Sequence, residues 1–334
     1  MNRKIAIIGA GFTGLAIAQC LMQHPHFSQF EIEIFDSRRI GTGTSGIASG
    51  LLHPYAGAHA KQNWRGKEGF NATKELIEIS SQTLGRSVTA NSQGILRLAW
   101  NESQSADFKL CAERYPNDAR WLDAETCQRL APGSTYKPGL WIHSGLTIYT
   151  SLYLKGLWMS CEQSGISFRQ KEILSLDELD GWDLVLAATG AETLQLPQLS
   201  HLPLSLIKGQ ILELSWPENI PPLNCALNSQ VYILMTETGK TCLVGATYER
   251  EAKNADIDLE TAKGELLSKA YEIFPPLRAS MVLNCFAGMR ASAPQHIPLL
   301  KEISPKRWIL TGMGSKGLLY HALFAKELVQ KALM

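Results

Sequence analysis

Hydrophobic and polar positions follow two different styles along this chain. Residues 4–8 are a short apolar run that ends in a glycine turn, which predicts a buried parallel strand. Residues 12–23 follow with helix formers and apolar positions at Leu15, Ala18, Leu21 and Met22. Residues 31–35 predict the next strand, closed by Asp36. Strand, helix, strand predicts a right-handed βαβ unit. Residues 42–57 read as a loop rich in glycine, serine and alanine. Helices are predicted over 71–84 and 148–164, and residues 107–131 read as mainly helical up to Pro132-Gly133. Residues 182–187 predict a second buried strand running into Ala188-Thr189-Gly190.

The style then changes. Residues 210–216, 230–237 and 241–247 predict strands with few helices between them, and Thr238-Gly239-Lys240 is a hairpin signal. A polar helix over 259–274 stops at Pro275-Pro276. A strand over 308–311, a glycine turn over 312–317 and a helix over 318–333 close the chain. The expected fold class is therefore α/β. A Rossmann-like nucleotide-binding domain (1–75, 143–207 and 285–334) alternates with a discontinuous antiparallel-sheet substrate domain (76–142 and 208–284).

Chemistry enters at the first turn. Gly9-Ala10-Gly11-Phe12-Thr13-Gly14 is a G-x-G-x-x-G that leaves a strand and opens a helix. Gly9 permits the tight turn, Gly11 lets a pyrophosphate approach the backbone, and Gly14 lets helix and strand pack closely. Asp36 follows about 20 residues on, where an acid binds ribose hydroxyls, and Ser37 stands beside it. A carboxylate there argues against a 2′-phosphate, and Arg38 and Arg39 read as surface residues rather than a phosphate clamp. The fingerprint alone does not choose between NAD and FAD. Gly312-Met313-Gly314-Ser315-Lys316-Gly317-Leu318 is a second helix start with approachable backbone. It suits a second polar group of a long cofactor, and equally a connecting turn with one exposed lysine.

Composition narrows the field. The 334 residues are 45% hydrophobic and carry 32 basic and 31 acidic side chains, a net charge of +1. That balance gives no electrostatic footprint for nucleic acid. The seven cysteines are scattered and form no C-x-x-C pair. They predict reduced thiols in the cytoplasm, with no metal site and no disulfide framework. The apolar run after Lys4 is too short for a signal peptide, and no stretch reaches the ~20 apolar residues of a membrane span.

The N-terminal fingerprint, Thr44-Ser45-Gly46-Ile47-Ala48-Ser49-Gly50, Ala188-Thr189-Gly190 and the C-terminal turn together resemble the D-amino-acid oxidase-like superfamily of FAD-dependent oxidoreductases. Glycine oxidase and sarcosine oxidase are members. Three further stretches resemble one branch, the FAD-dependent C-terminal domain of the bifunctional enzyme that makes 5-methylaminomethyl-2-thiouridine in tRNA. They are Gly50-Leu51-Leu52-His53-Pro54-Tyr55, Gly288-Met289-Arg290-Ala291-Ser292-Ala293-Pro294-Gln295-His296-Ile297-Pro298 and the turn ending in Leu318. The likeness is weakest between Lys74 and Gly139. The chain departs from that branch in starting at the FAD fingerprint, without the methyltransferase half. It also has Gln295 where an aspartate is usual and Lys316 where an arginine is usual, and it lacks the positive charge expected of a tRNA enzyme.

The resemblance implies FAD as cofactor and three substrate-side residues. Arg290 matches the family arginine that clamps a substrate carboxylate, a task suited to a planar guanidinium. Tyr232 matches an active-site tyrosine of glycine oxidase, although a core tyrosine also fits. Strand alternation sets Tyr232 and Leu234 on one face, opposite Val231 and Ile233. Lys316 or the helix dipole beside it would stabilise charge on reduced flavin. His53 is expected to sit near the isoalloxazine without covalent attachment, and His296 and His321 are expected to be structural. Lys61, Arg65 and Lys67 around Trp64 read as solvated surface rather than an RNA contact. The implied chemistry is hydride transfer from the carbon next to an amine to flavin N5, then imine hydrolysis. Three readings follow: an oxidase of small glycine-type amines, a tRNA wobble-uridine enzyme, and a non-catalytic FAD-binding redox protein.

Overall fold

The protein is described here by a computed structural model covering residues 2–90 and 94–334. β1 (Arg3–Ile8), α1 (Phe12–Met22) and β2 (Phe30–Asp36) open the chain. Then come β3 (Leu51–Leu52), α2 (Gly66–Leu84), β4 (Ile95–Leu98), α3 (Glu102–Arg114), β5 (Ala119–Leu122), α4 (Ala124–Leu130), β6 (Gly139–Ile142) and β7 (Leu146–Thr147). The middle holds α5 (Thr150–Gln163), β8 (Ser167–Gln170), β9 (Leu184–Ala187), β10 (Ser205–Ser215), β11 (Ala226–Asn228), β12 (Tyr232–Met235) and β13 (Thr241–Gly245). α6 (Leu259–Ile273), β14 (Val282–Ser292), β15 (Leu299–Ser304), β16 (Arg307–Thr311) and α7 (Gly317–Leu333) complete it.

Two large sheets carry the fold. The first runs β15-β16-β9-β1-β2-β8. β8, β2, β1, β9 and β16 are parallel, and β15 is an antiparallel edge. β1 lies inside this sheet and is apolar on both faces, as a doubly covered parallel strand must be. Ile5 and Ile7 pack with α1, α5 and α7, while Ala6 and Ile8 face Phe35, Ile173 and Leu199. The second sheet runs β14-β10-β13-β12-β11-β4-β6-β5 and is antiparallel except where β11 meets β4. Its alternation is clean. Leu212, Leu214, Ile233 and Val244 face α6 residues such as Leu266 and Ile273. Tyr232 and Leu234 point to the other face, as their spacing predicts.

The α/β expectation holds, and the structure corrects one local reading and adds one strand that the sequence pattern did not show. Residues 107–131 are not one helical stretch. α3 and α4 are each capped by their own side chain, Asn101 and Asp123, and β5 between them pairs with β6. The 116–118 turn is fixed by Asp118, which accepts the Ser144 amide at 2.8 Å and the Tyr55 hydroxyl at 2.8 Å. Second, Arg290 belongs to an eleven-residue strand, β14. Its polar and small residues give no period-two signal, so only the partner β10 defines it. The segment limits drawn at 75/76, 207/208 and 284/285 fall inside α2, β10 and β14.

His321 is structural in this fold. It is fully buried in α7, its Nε2 lies 2.7 Å from the Tyr153 hydroxyl, and its Nδ1 lies 3.1 Å from the Gly317 and Leu318 carbonyls. Nδ1 therefore donates to the carbonyls, and because burial keeps the ring neutral, Nε2 accepts the Tyr153 hydroxyl. Burial pushes its pKa from 6.5 down to about 4. Below pH 6.5 the unfolded chain takes up this proton and the folded chain does not, so stability is complete above 6.5 and falls with pH toward about 4. We expect His321 to contribute about 1.4 kcal/mol per pH unit to that loss. Urea denaturation between pH 5 and 6.5 should show the slope, and His321→Gln should remove this share of it.

Candidate functional site

The βαβ unit places its first functional group by close approach. Gly9 sits at φ 105°, and its amide donates to the Phe35 carbonyl at 2.7 Å. A Cβ on Gly14 would lie 1.7 Å from the Gly9 carbonyl oxygen. Only glycine lets α1 start this close to β1, so the N–H groups of its first turn open directly above the strand ends. The Asp36 carboxylate accepts the Ala10 and Arg38 amides at 2.8 and 2.9 Å. One lone pair on each oxygen is left for hydroxyls. Arg38 reaches across to Glu192 at 2.7 Å and is thereby engaged rather than free to clamp phosphate.

A second helix start faces the same space. Phe12 packs on the His321 ring at 5.4 Å between centroids, and the Thr13 hydroxyl lies 3.8 Å from the Met313 sulfur. These contacts draw α1 and α7 together at their N-termini. Gly314, Ser315 and Lys316 precede α7, and Gly317 and Leu318 are its first residues. Burial lowers the Lys316 pKa, and its ammonium lies 6.0 Å from the Tyr320 ring centre.

Between the two sheets runs one cleft of about 480 Å³. Gly9, Gly11, Phe12, Thr13, Asp36, Ser37, Ser45, Ser49, Gly50 and Leu51 line it, with Thr189, Gly190, Tyr232, Arg290 and the 314–318 turn. Gly14 alone among the expected residues stays outside the lining, beneath the turn. The Ser45 hydroxyl accepts the Phe12 amide at 3.1 Å, and the Thr150 hydroxyl donates to the Gly46 and Ala48 carbonyls at 2.9 and 3.1 Å. The 44–51 loop is thus tied to α1 on one side and α5 on the other.

The floor at the far end is one face of the second sheet. Ile211 stands opposite Gly245, Gly245 opposite Tyr232, and Tyr232 opposite Asn228. Burial raises the Tyr232 phenol pKa well above its usual value, against the opposing influence of the Ser49 hydroxyl and the Arg290 charge beside it. Arg290 donates to the Thr247 carbonyl at 3.3 Å. That carbonyl is fixed in turn, since the Thr247 hydroxyl accepts the Gln210 amide at 2.8 Å and donates to Glu249 at 2.5 Å. Gln210 Nε2 and Lys208 Nζ reach Glu249 at 2.9 and 3.3 Å. Burial works to raise the Glu249 carboxyl, and these bonds outweigh it and hold it below the usual range.

Sequence reasoning missed this support network, and it missed Asn228 and Arg97. Arg97 follows Asn228 in the same cross-strand row. It is 4% exposed, donates to the Tyr55 and Gly57 carbonyls at 2.8 and 2.6 Å, and lies 5.0 Å from the Phe108 ring centre. Burial lowers its pKa to about 10. No carboxylate pairs with it among the described residues. Its signal in the sequence, one arginine in Ile95–Leu98, is visible only once the strand is known. His53 lines the cleft, accepts the Tyr55 amide on Nδ1 at 3.3 Å, and is held neutral by burial and by Arg97, with a pKa pushed down to about 3. His296 is exposed and lies 3.2 Å from the Ser292 hydroxyl. In the basic cluster, Arg65 is paired with Glu68 and Glu327, and Lys67 lies over the Tyr115 ring.

The acidic lining residues among those described are Asp36, Glu172 and Glu192, with the basic Arg38, Arg39 and Lys171 next to them in the chain, while Arg290 lines the cleft from the second sheet and Lys316 from the turn before α7. FAD fits this lining. The glycine turn and two helix starts suit a pyrophosphate and a second polar group, Asp36 suits a ribose, and the wide floor end suits a flat ring.

The comparisons agree with that fit. The family model "DAO: FAD dependent oxidoreductase" matches residues 4–331. The bifunctional tRNA 5-methylaminomethyl-2-thiouridine biosynthesis protein MnmC of Pseudomonas savastanoi pv. phaseolicola is 23% identical over 338 residues, 95% of this chain and 50% of that protein. The bifunctional protein ThiO/ThiG of a Nostoc species is 24% identical over 347 residues, 96% of this chain and 51% of that protein. The chain thus spans about half the length of these curated relatives. Glycine oxidase from Geobacillus kaustophilus superposes with a TM-score of 0.81 at 17% identity, over 99% of this chain and 95% of that one. Iminodiacetate oxidase from a Chelativorans species gives 0.80 at 20%, with the same coverage. These likenesses establish a shared fold.

Removing Asp36 should cost more than removing Arg38. We expect Asp36→Ala to weaken FAD binding about tenfold or more, since it loses charged hydrogen bonds and unpins the turn. Arg38→Gln should change it less than about fivefold, as an exposed ion pair contributes roughly 0.2–1 kcal/mol. Flavin fluorescence titration of the apo-protein measures both.

Proposed function

This chain belongs to the DAO family of FAD dependent oxidoreductases, and we propose that it oxidises the C–N bond of a glycine-type primary or secondary amine, one that carries a carboxylate. The observation that carries this reading is Arg290, which lines the cleft from the second sheet beside Tyr232 and has no carboxylate partner among the described residues.

FAD is the cofactor and supplies a two-electron acceptor for the hydride on the carbon next to the amine nitrogen. The chain supplies position and field. Arg290 offers a fork of N–H donors that fits a carboxylate and fixes its orientation. Its anchor to Thr247 keeps that fork from wandering, and such pre-alignment accounts for much of the acceleration expected of an enzyme. The cationic surroundings also disfavour an ammonium, so the amine is held as the neutral base that this oxidation requires. Lys316 and the α7 N-terminus add positive potential where negative charge gathers during reduction. The imine leaves and hydrolyses in water.

Names of relatives inform the substrate class. Glycine oxidase and iminodiacetate oxidase share the fold, and both named substrates are carboxylate-bearing amines. A tRNA-borne carboxymethylaminomethyl group presents the same atoms, and the MnmC relative is named for tRNA 5-methylaminomethyl-2-thiouridine biosynthesis. The small amine is preferred because the net charge is only +1 and Arg65, in the basic cluster with Lys61 and Lys67, is already paired with Glu68 and Glu327. All seven cysteines are free, which suits the reducing cytoplasm as the place of action. No helix of the described residues is long and apolar enough to cross a membrane.

Anaerobic titration of the purified flavoprotein tests this reading. Glycine, sarcosine or iminodiacetate should bleach the flavin absorbance, and N-methylethylamine, which lacks the carboxylate, should not. Arg290→Met should raise the half-saturating concentration about tenfold to a hundredfold, the loss expected for hydrogen bonds to a charged group. Bleaching by the tRNA substrate alone would replace the small amine with a modified nucleoside. Equal bleaching by N-methylethylamine would remove the carboxylate from the reading. A flavin that no amine bleaches would leave a redox protein without amine turnover.

A further inference from the structure

We infer that Gly209 and Gly245 are positioning residues, glycine seats over which the ends of the Arg290 guanidinium and the Tyr232 phenol rest against the second sheet. Their missing side chains set the spacing between the carboxylate anchor and the phenol. The inference rests on the reading of Arg290 as that anchor.

The geometry is that of neighbouring strands. Arg290 in β14 stands opposite Ile207 in β10, but its guanidinium slants along the sheet toward Gly209. A Cβ on Gly209 would lie 1.6 Å from its terminal nitrogen. Tyr232 in β12 stands opposite Gly245 in β13, and a Cβ on Gly245 would lie 2.3 Å from the phenol oxygen. β14 and β12 are separated by β10 and β13, so the two Cα rows lie three strand spacings apart, about 14 Å. Gly209 lies two residues from Ile211, the partner of Gly245, so the two seats are diagonal neighbours about 7–8 Å apart. The side chains therefore lean inward from outer strands and end over the two inner ones.

Nothing in the backbone requires glycine at Gly209. It is not among the glycines with positive φ, and it stands inside the eleven-residue strand β10. Glycine at an interior strand position is unfavourable and marks a place where another group comes close. Here that group is the Arg290 guanidinium. Across the ladder Gly209 faces Gly288. A Cβ on Gly288 would lie 3.0 Å from Thr44 and Ile47 of the loop above. The floor is therefore bare on both strands where the anchor, the loop and the substrate meet. An alanine at 209 would meet the free end of a flexible side chain rather than backbone. The fold should tolerate it while the guanidinium moves off its seat.

The test is a double-mutant cycle on the holoenzyme, with sarcosine binding and the limiting rate of flavin reduction read by anaerobic stopped flow. We expect Gly209→Ala to weaken sarcosine binding about tenfold with the melting temperature nearly unchanged. In the Arg290→Met background the same alanine should change binding less than about twofold, because nothing remains to displace. Full additivity of the two substitutions, or a loss of thermal stability that accounts for the binding defect, would overturn the seats. A crystal structure of the Gly209→Ala variant decides independently of substrate. Displacement of the guanidinium by an ångström or more supports the seat, and an unmoved guanidinium removes it. If Arg290→Met leaves sarcosine binding intact, or the wild type is not reduced at all, the carboxylate reading fails, and the crystal structure still decides the seat.

Discussion

The approach of Gly14 to the Gly9 carbonyl is the contact on which the rest of the cleft depends. It lets α1 begin directly above the end of β1. Phe12 and Thr13, the first residues of that helix, then meet His321 and Met313 and so bring in α7. Two helix N-termini converge on one space because a single side chain is missing. A methyl group at position 14 would separate helix and strand and shift both ends together, a strain that close-packed interiors do not absorb cheaply.

Charge gives the cleft a direction. At the β2 end Asp36 is held by two backbone amides, and Arg38 and Glu192 neutralise each other across the opening. At the floor end Arg290 faces the cleft, and Arg97 is buried in the cross-strand row that holds Tyr232 and Asn228. A buried guanidinium without a carboxylate is costly. Arg97 offsets part of that cost by donating to two loop carbonyls and lying over Phe108. Burial holds His53 neutral, and the Arg97 charge adds to that effect. The whole end therefore favours anions and neutral bases over ammonium groups, which is the preference an amine-oxidising site needs.

Local signals were legible in the sequence and long-range pairings were not. The Gly9–Gly14 fingerprint, Asp36 and the β12–β13 hairpin each lie within a few residues or one βαβ unit, so spacing alone reveals them. The face on which Tyr232 lies followed from alternation. β14 was not legible, because Asn284, Ala287, Gly288 and Ser292 carry no apolar period and the strand exists through its ladder with β10. For the same reason Gly209, Gly245 and Asn228 had no meaning before the register was known. Arg97 and the break at β5 depend on contacts with Tyr55, Asp118 and β6, far away in the chain. Arg290 was found through resemblance to a family, and the Lys208–Glu249 network that steadies its partner Thr247 was not.

Oxidation of a carboxylate-bearing amine is the central claim, and product stoichiometry tests it most directly. The FAD-loaded protein is mixed without oxygen with excess glycine and, separately, with excess iminodiacetate, and glyoxylate is quantified against flavin reduced. The account predicts one glyoxylate for each flavin reduced, released as the imine hydrolyses. Flavin reduced without glyoxylate, or both amines recovered intact beside oxidised flavin, would contradict it.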